Sequence, residues 1–265
     1  GGPERTGRLL AATRACHCPD PARSTQPTTS LASLAAMDDL VSYDLADGIA
    51  TLTLDNGKVN AVSPAVIDGL NAGLDQAVSD EAVVIITGTP GILSAGYDLK
   101  VMTSGTQNAI DLVAAGSTLA RRMLAHPYPV IVACPGHAVA KGAFLLLSAD
   151  YRVGADGAFQ IGLNEVQIGM TMHHVGIELA RARLQTSYFN RCVINAEMFD
   201  PHGARRAGFL DEVVDADAVM ATARERAVAF QKLTMKAHAA TKLKVRKQLL
   251  ETLDAAIEAD KTPLW

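Results

Sequence analysis

The chain has 265 residues, 49% hydrophobic and 20% charged, enough for one large buried core and too apolar for a disordered chain. Its formal net charge of −4 leaves no basic surplus for holding nucleic acid. No apolar run approaches the ~18 residues needed to cross a membrane. Aromatic residues make up only 5%, so the core must come mainly from Ala, Val, Leu and Ile.

Residues 1–36 carry Arg5, Arg8, Arg14 and Arg23 against only Glu4 and Asp20, and are rich in Ser, Thr, Pro and Ala. They read as a disordered leader, either transit-like or an upstream extension ahead of Met37. The expected location is cytoplasmic, or an organellar matrix if the leader is a genuine transit peptide. Cys16-His17-Cys18 is too tight a group, without a second pair, for a structural zinc site. No metal is expected, and Cys134, at the end of an apolar run, reads as a buried thiol.

From Met37 the pattern becomes orderly. Val41–Leu45 and Ile49–Leu54 alternate like half-buried strands around the turn Asp47-Gly48. Ser63-Pro64 is a helix start, with Val66, Ile67, Leu70 and Leu74 on one face. Residues 82–87 and 129–134 are continuous apolar runs, expected of strands covered on both faces, and a helix over 106–125 lies between them. That order implies βαβ units and an α/β fold. After Asp150 the chain reads as mainly helical, over 174–184, 186–193, 200–206 and 216–246, with one strand near 209–214.

Three segments stand out for chemistry: Leu93-Ser-Ala-Gly-Tyr-Asp-Leu-Lys100, Gly136-His-Ala-Val-Ala-Lys-Gly-Ala-Phe144 and Ile161-Gly-Leu-Asn-Glu-Val-Gln-Ile-Gly-Met170. In the first two, small residues follow a strand and permit close backbone approach. The free N–H groups of two such loops, side by side, could hold one carbonyl oxygen. Taken alone, they read first as two ordinary strand-to-helix turns.

These segments, with Asn60-Ala61 and Asp150-Tyr-Arg, resemble the crotonase (enoyl-CoA hydratase/isomerase) superfamily over about residues 40–246, in the family's order. The resemblance implies a spiral of ββα units over 37–195 and a helical trimerisation region over 196–265. It also implies an acyl-CoA thioester as substrate, so that coenzyme A arrives with the substrate and no separate cofactor is needed. A homotrimer or dimer of trimers, without membrane or nucleic-acid partners, would follow. Carried over by position, Glu165 is the acid/base, and the backbone N–H groups of Tyr97 and Lys141 are the oxyanion donors. Asn60, Ala61, Ala95, Gly96, Asp98, Leu99, Lys100, Gly142, Phe144 and His173 would surround the substrate, with Asp98 and Lys100 towards its nucleotide end.

Two departures bear on the reaction. Lys141 stands where glycine is common, and its side chain could narrow the pocket or reach a phosphate. Phe144 stands where hydratases carry a first glutamate, and a phenyl ring moves no proton. One carboxylate and an oxyanion hole suit a double-bond shift, so the pattern is similar to the Δ3,Δ2-enoyl-CoA isomerase branch. A hydratase recruiting another polar group, or a non-catalytic acyl-CoA-binding homologue, are the alternatives. One of His173 and His174 is expected to cap the following helix. The run Lys242-Leu-Lys-Val-Arg-Lys247 reads as a solvated helix face, with contact to a CoA phosphate as the alternative.

Overall fold

The computed structural model describes Gly1 and residues 40–262, so the readings made for the leader and for Cys16 and Cys18 lie outside the described residues. The hairpin of β1 (Val41–Ala46) and β2 (Ile49–Leu54) turns at Asp47-Gly48, both at positive φ. Helix α1 (Pro64–Ser79) begins as its sequence predicts. Ser63 Oγ accepts the Val66 N–H, and the predicted apolar face is buried.

Three long and three short strands then alternate: β3 (Val83–Thr87) with β4 (Gly91–Ser94), β5 (Val130–Cys134) with β6 (Gly136–Val139), and β7 (Tyr151–Ala155) with β8 (Ile161–Gly162). The long strands enter a six-stranded sheet of order β1-β2-β3-β5-β7-β9, where β9 is Glu212–Val214. The short strands form a second, parallel sheet, β4-β6-β8. Helices α2 (Leu99–Met102) and α3 (Thr106–Ala125) follow β4, and α4 (Lys141–Leu147) follows β6. Each of these three later turns therefore delivers one strand to each sheet before its helix, the ββα spiral that the resemblance implies.

The strand period explains the layering. Ala50, Leu52, Val84, Ile86, Val130 and Val132 face one apolar cluster, shared with α1 and α3. Their neighbours Ile49, Val83, Ile85, Ile131 and Ala133 face another, against Val219, Ala223 and Ala227. With both faces covered, little polar is needed on either side, and β3 and β5 read as apolar runs; β2, expected to be half-buried from its alternation, is covered on both faces as well, with Thr51 buried.

Helices α5 (His174–Arg183), α6 (Thr186–Val193) and α7 (Pro201–Ala207) fall close to their predicted spans. The predicted 216–246 helix does not hold as one piece. Helix α8 (Val219–Gln231) packs on the strands β3, β5 and β7, whereas α9 (Met235–Ala259) packs on α3 and α5. The break at 232–234 lets the chain leave one layer for the other. The strand near 209–214 shortens to β9, because Phe209 and Leu210 turn into the core. β4, β6, β7 and β8 have no counterpart in the sequence reading. Among the described residues, no helix is long and apolar enough to cross a membrane.

Lys242 and Arg246 correct the reading of a solvated basic face. Both turn inward onto Asp150, at 2.5 and 2.8 Å, with side chains only 4% and 13% exposed. Asp150 also accepts the Val130 N–H. The exposed cations of that run are Lys244 and Lys247.

Candidate active site

Hydrogen bonding in the loop after β4 selects one donor. The Ala95 N–H donates to Val59 O, Gly96 to Ser94 Oγ and Asp98 to Val62 O, which leaves the Tyr97 N–H without an acceptor among the described residues. Lys141 heads α4, where first-turn N–H groups have no intrahelical partner, and its N–H has no acceptor either. The two loops touch: a Cβ built on Gly96 (φ +116°) would lie 3.7 Å from the Lys141 nitrogen. Gly142 permits this approach, since a methyl there would meet Ser94 O at 2.2 Å. Ala140, between β6 and α4, is held at φ +51° and ψ −117°. That is a left-handed strain of about 1–3 kcal/mol for a residue with a side chain. Its N–H to Gly162 O and its carbonyl to the Phe144 N–H hold it there.

Beside these donors lies a cavity of about 180 Å3, with Ala95, Gly96, Tyr97, Ala140 and Glu165 in its wall. Glu165 begins a tight turn over Val166–Ile168 that closes at Gly169 (φ +82°), and its carbonyl accepts the Met170 N–H. This places the carboxylate inward, 7% exposed, with Oε2 lacking any hydrogen-bond partner. Burial raises its pKa to about 7. A carboxylate so poised can take a proton and return it at neutral pH. Among the described residues that line the cavity, it is the one carboxylate.

The remaining wall is mostly apolar, with Met102, Ala109 and Val113 along one side and Leu99 and Ile168, 65% and 53% exposed, as apolar groups open to solvent. His173 completes it, its ring edge-on to Phe144 at 5.2 Å between centroids. Burial, with Lys141 and His174 nearby, holds the His173 pKa well below its usual value despite Asp260, so the ring is neutral at pH 7. His173 stands at the N-cap position of α5, but neither histidine ring caps that helix. Asp260, from the end of α9, does so by accepting the His174 and Val175 N–H groups at 2.7 and 3.0 Å. A carboxylate serves both free donors and complements the positive end of the helix, which a neutral ring cannot.

Of the residues singled out in the sequence, Ala95, Gly96, Tyr97, Leu99, Glu165 and His173 line the cavity. Asn60, Ala61, Asp98, Lys100, Lys141, Gly142 and Phe144 do not; the buried Asn60 amide, at φ +45°, ties Asn56 N–H, Leu54 O and Thr89 Oγ1 together. Asp98 caps α2 by accepting the Lys100 N–H, and the Lys100 side chain is exposed. The Lys141 side chain does not point towards a phosphate. It is fully buried, and Nζ donates to Gly116 O of α3 at 2.6 Å. The sequence reading passed over Asn164, which lines the cavity beside Glu165 with a buried, unpartnered Oδ1. Its place in the quoted Gly-Leu-Asn-Glu motif was the available signal.

Residues 44–264 match the enoyl-CoA hydratase/isomerase family, and the chain belongs to that family. An enoyl-CoA hydratase/isomerase family protein from Pseudomonas syringae, solved by crystallography, is 71% identical with a TM-score of 0.84, covering 85% of this chain and 98% of its own. A Mycobacterium tuberculosis protein, described as an enoyl-CoA isomerase in one solved structure and as a probable enoyl-CoA hydratase in another, is 43% identical with a TM-score of 0.81 in the first, covering 84% of this chain and 97% of its own. A probable enoyl-CoA hydratase of Bacillus subtilis is 33% identical over 134 residues, 49% of this chain, and the match spans only about half (52%) of that relative's length. Relatives thus bear both names, and the choice between the two reactions rests on the site.

Proposed function

We propose that this chain converts a 3-enoyl thioester of coenzyme A into the conjugated 2-enoyl thioester. The observation that supports this most is the single carboxylate in the cavity wall, with Phe144 buried where a second would stand. Ionised Glu165 removes the C2 proton, and the electron pair moves onto the thioester oxygen. The Tyr97 and Lys141 N–H groups hold that oxyanion, a contribution of about 10²–10³ in rate for each donor. The enolate collapses, the double bond moves between C2 and C3, and the same carboxylic acid delivers its proton to C4. Among the described residues, the mostly apolar wall offers no second carboxylate to activate a water. Coenzyme A is carried by the substrate, and its nucleotide end lies towards Asp98 and Lys100.

One observation favours hydration as a second reading: the unpartnered Asn164 Oδ1 and Glu165 Oε2 are two neighbouring acceptors that a water could bridge. Ultraviolet absorbance separates the two. A 3-enoyl-CoA is expected to gain the conjugated-thioester band while a 2-enoyl-CoA keeps it; a falling 2-enoyl signal would transfer the assignment to hydration. The base must be ionised, so kcat/KM for isomerisation is expected to rise tenfold per pH unit below about 7 and to level off above it. A flat profile from pH 5 to 8 would remove Glu165 from the base role.

A further inference from the structure

The two oxyanion donors sit past the end of the ladder that joins β4 to β6, on loops tied to different neighbours. In the first loop, the Ala95 and Asp98 N–H groups donate to Val59 O and Val62 O; in the second, the Ala140 N–H donates to Gly162 O. Among the described residues, no backbone hydrogen bond joins residues 95–98 to residues 140–142. Close packing at Gly96 and Gly142 limits how near the loops come, and leaves the relative direction of their N–H groups to other contacts.

The side chains of the same two residues supply those contacts, and both meet one turn of α3. Lys141 Nζ donates to Gly116 O at 2.6 Å. The Tyr97 hydroxyl presses on Gly116 so closely that a Cβ there would overlap it, and it reaches Val113 O at 3.5 Å. Lys141 Nζ lies 5.8 Å from the Tyr97 ring centroid, within the reach of a cation on an aromatic face. Gly116 is buried within α3, which packs against α1 and α9 and so gives both donors one platform.

Stability does not account for a lysine at this place. Its side chain is fully buried, without an ion pair among the described residues, and burial lowers its pKa to about 7. The ammonium and the neutral amine both carry an N–H for the Gly116 carbonyl. Desolvating such a group for one carbonyl adds little to folding. Nor does the side chain line the cavity, so it acts on substrate only through the backbone that it holds.

We propose that Lys141 is a positioning residue: by clamping the head of α4 and the Tyr97 ring to the same turn of α3, its side chain sets the spacing and direction of the two N–H donors of the oxyanion hole. This role rests on the acyl-CoA reading above and deepens it.

The first arm of the test needs no turnover. Hexanoyl-CoA carrying carbon-13 at the thioester carbonyl is bound to the protein, and the carbonyl stretch is read by isotope-edited infrared spectroscopy. Two aligned N–H donors weaken the C=O bond, so the bound band is expected below that of the free thioester in water. Lys141→Met removes the clamp and keeps most of the volume. Gly116→Ala leaves Lys141 in place, introduces a good helix former and pushes the Tyr97 ring aside; it carries the test should Lys141→Met not fold. In each variant the band is expected to move back towards its free position. In each, kcat for a 3-enoyl-CoA is expected to fall by about 10²-fold, with KM changed by less than about threefold. A merely structural lysine would lower stability and leave the bound band where the parent has it. A folded variant of either kind that keeps the parent's band position and kcat overturns the clamp. A parent that lowers the band and does not isomerise a 3-enoyl-CoA overturns the proposed reaction, and the band in the variants then decides the clamp. A parent that binds no thioester, or binds it with an unshifted band, overturns the oxyanion hole and the clamp with it.

Discussion

Glu165→Gln is expected to slow turnover of a 3-enoyl-CoA by about 10³–10⁴-fold, because one side chain acts as both base and acid and the amide does neither. Substrate binding should change little, since Gln keeps the shape and the N–H donors of Tyr97 and Lys141 are backbone groups. The same variant should be more stable than the parent at alkaline pH. The Glu165 pKa is raised from 4.5 to about 7 in the folded protein, so the folded state holds the extra proton between those values. The stability contributed by that proton is fully present below pH 4.5 and is lost as the pH rises through about 7. Gln carries no such dependence, so the advantage of the variant should be absent near pH 4.5 and reach on the order of 3 kcal/mol by pH 8. Equal pH dependence of parent and variant in denaturant titrations would show that the carboxylate is not desolvated as described.

Asp150→Ala is expected to cost about 3–5 kcal/mol of stability. Asp150 is 12% exposed and is paired with both Lys242 and Arg246. Its removal leaves two cations facing each other in a nearly dry site, together with an unpaired Val130 N–H. Arg246 also donates to Leu124 O and Lys242 to Tyr128 O, so this cluster fixes α9 against the end of α3. A triple variant that also carries Lys242→Met and Arg246→Leu should recover much of the loss, because no charge is then stranded. Denaturant midpoints measure both. A loss below about 1 kcal/mol for Asp150→Ala would mean that water reaches the cations.

What the sequence disclosed follows from how locally each feature is determined. Helix α3 could be read to the residue, and β3 and β5 nearly so, because a covered strand and an amphipathic helix write their period into adjacent residues. The short strands β4, β6 and β8 run two to four residues, too few for any period to register. They exist because successive turns of the spiral stack in parallel. The break between α8 and α9 is likewise set by which layer each helix covers. In the site, the family resemblance, and not spacing alone, singled out Glu165 and the two loops, whose backbones are local structure. The direction of the Lys141 side chain was not legible, since it depends on a carbonyl of α3, 25 positions away in sequence. Nor was the Asp260 cap on α5, which spans 86 positions.

The most direct test of the one-carboxylate cycle is the fate of a deuteron. A 3-enoyl-CoA deuterated at C2 should be converted briefly in ordinary water and the product examined by NMR and mass spectrometry. Glu165 is buried and carries the abstracted deuteron until it is delivered, so early product is expected to hold deuterium at C4 and no hydroxyl at C3. Product with no deuterium at C4 and a solvent-derived hydroxyl at C3 would contradict the cycle, and would mean that water reaches C3 despite Phe144.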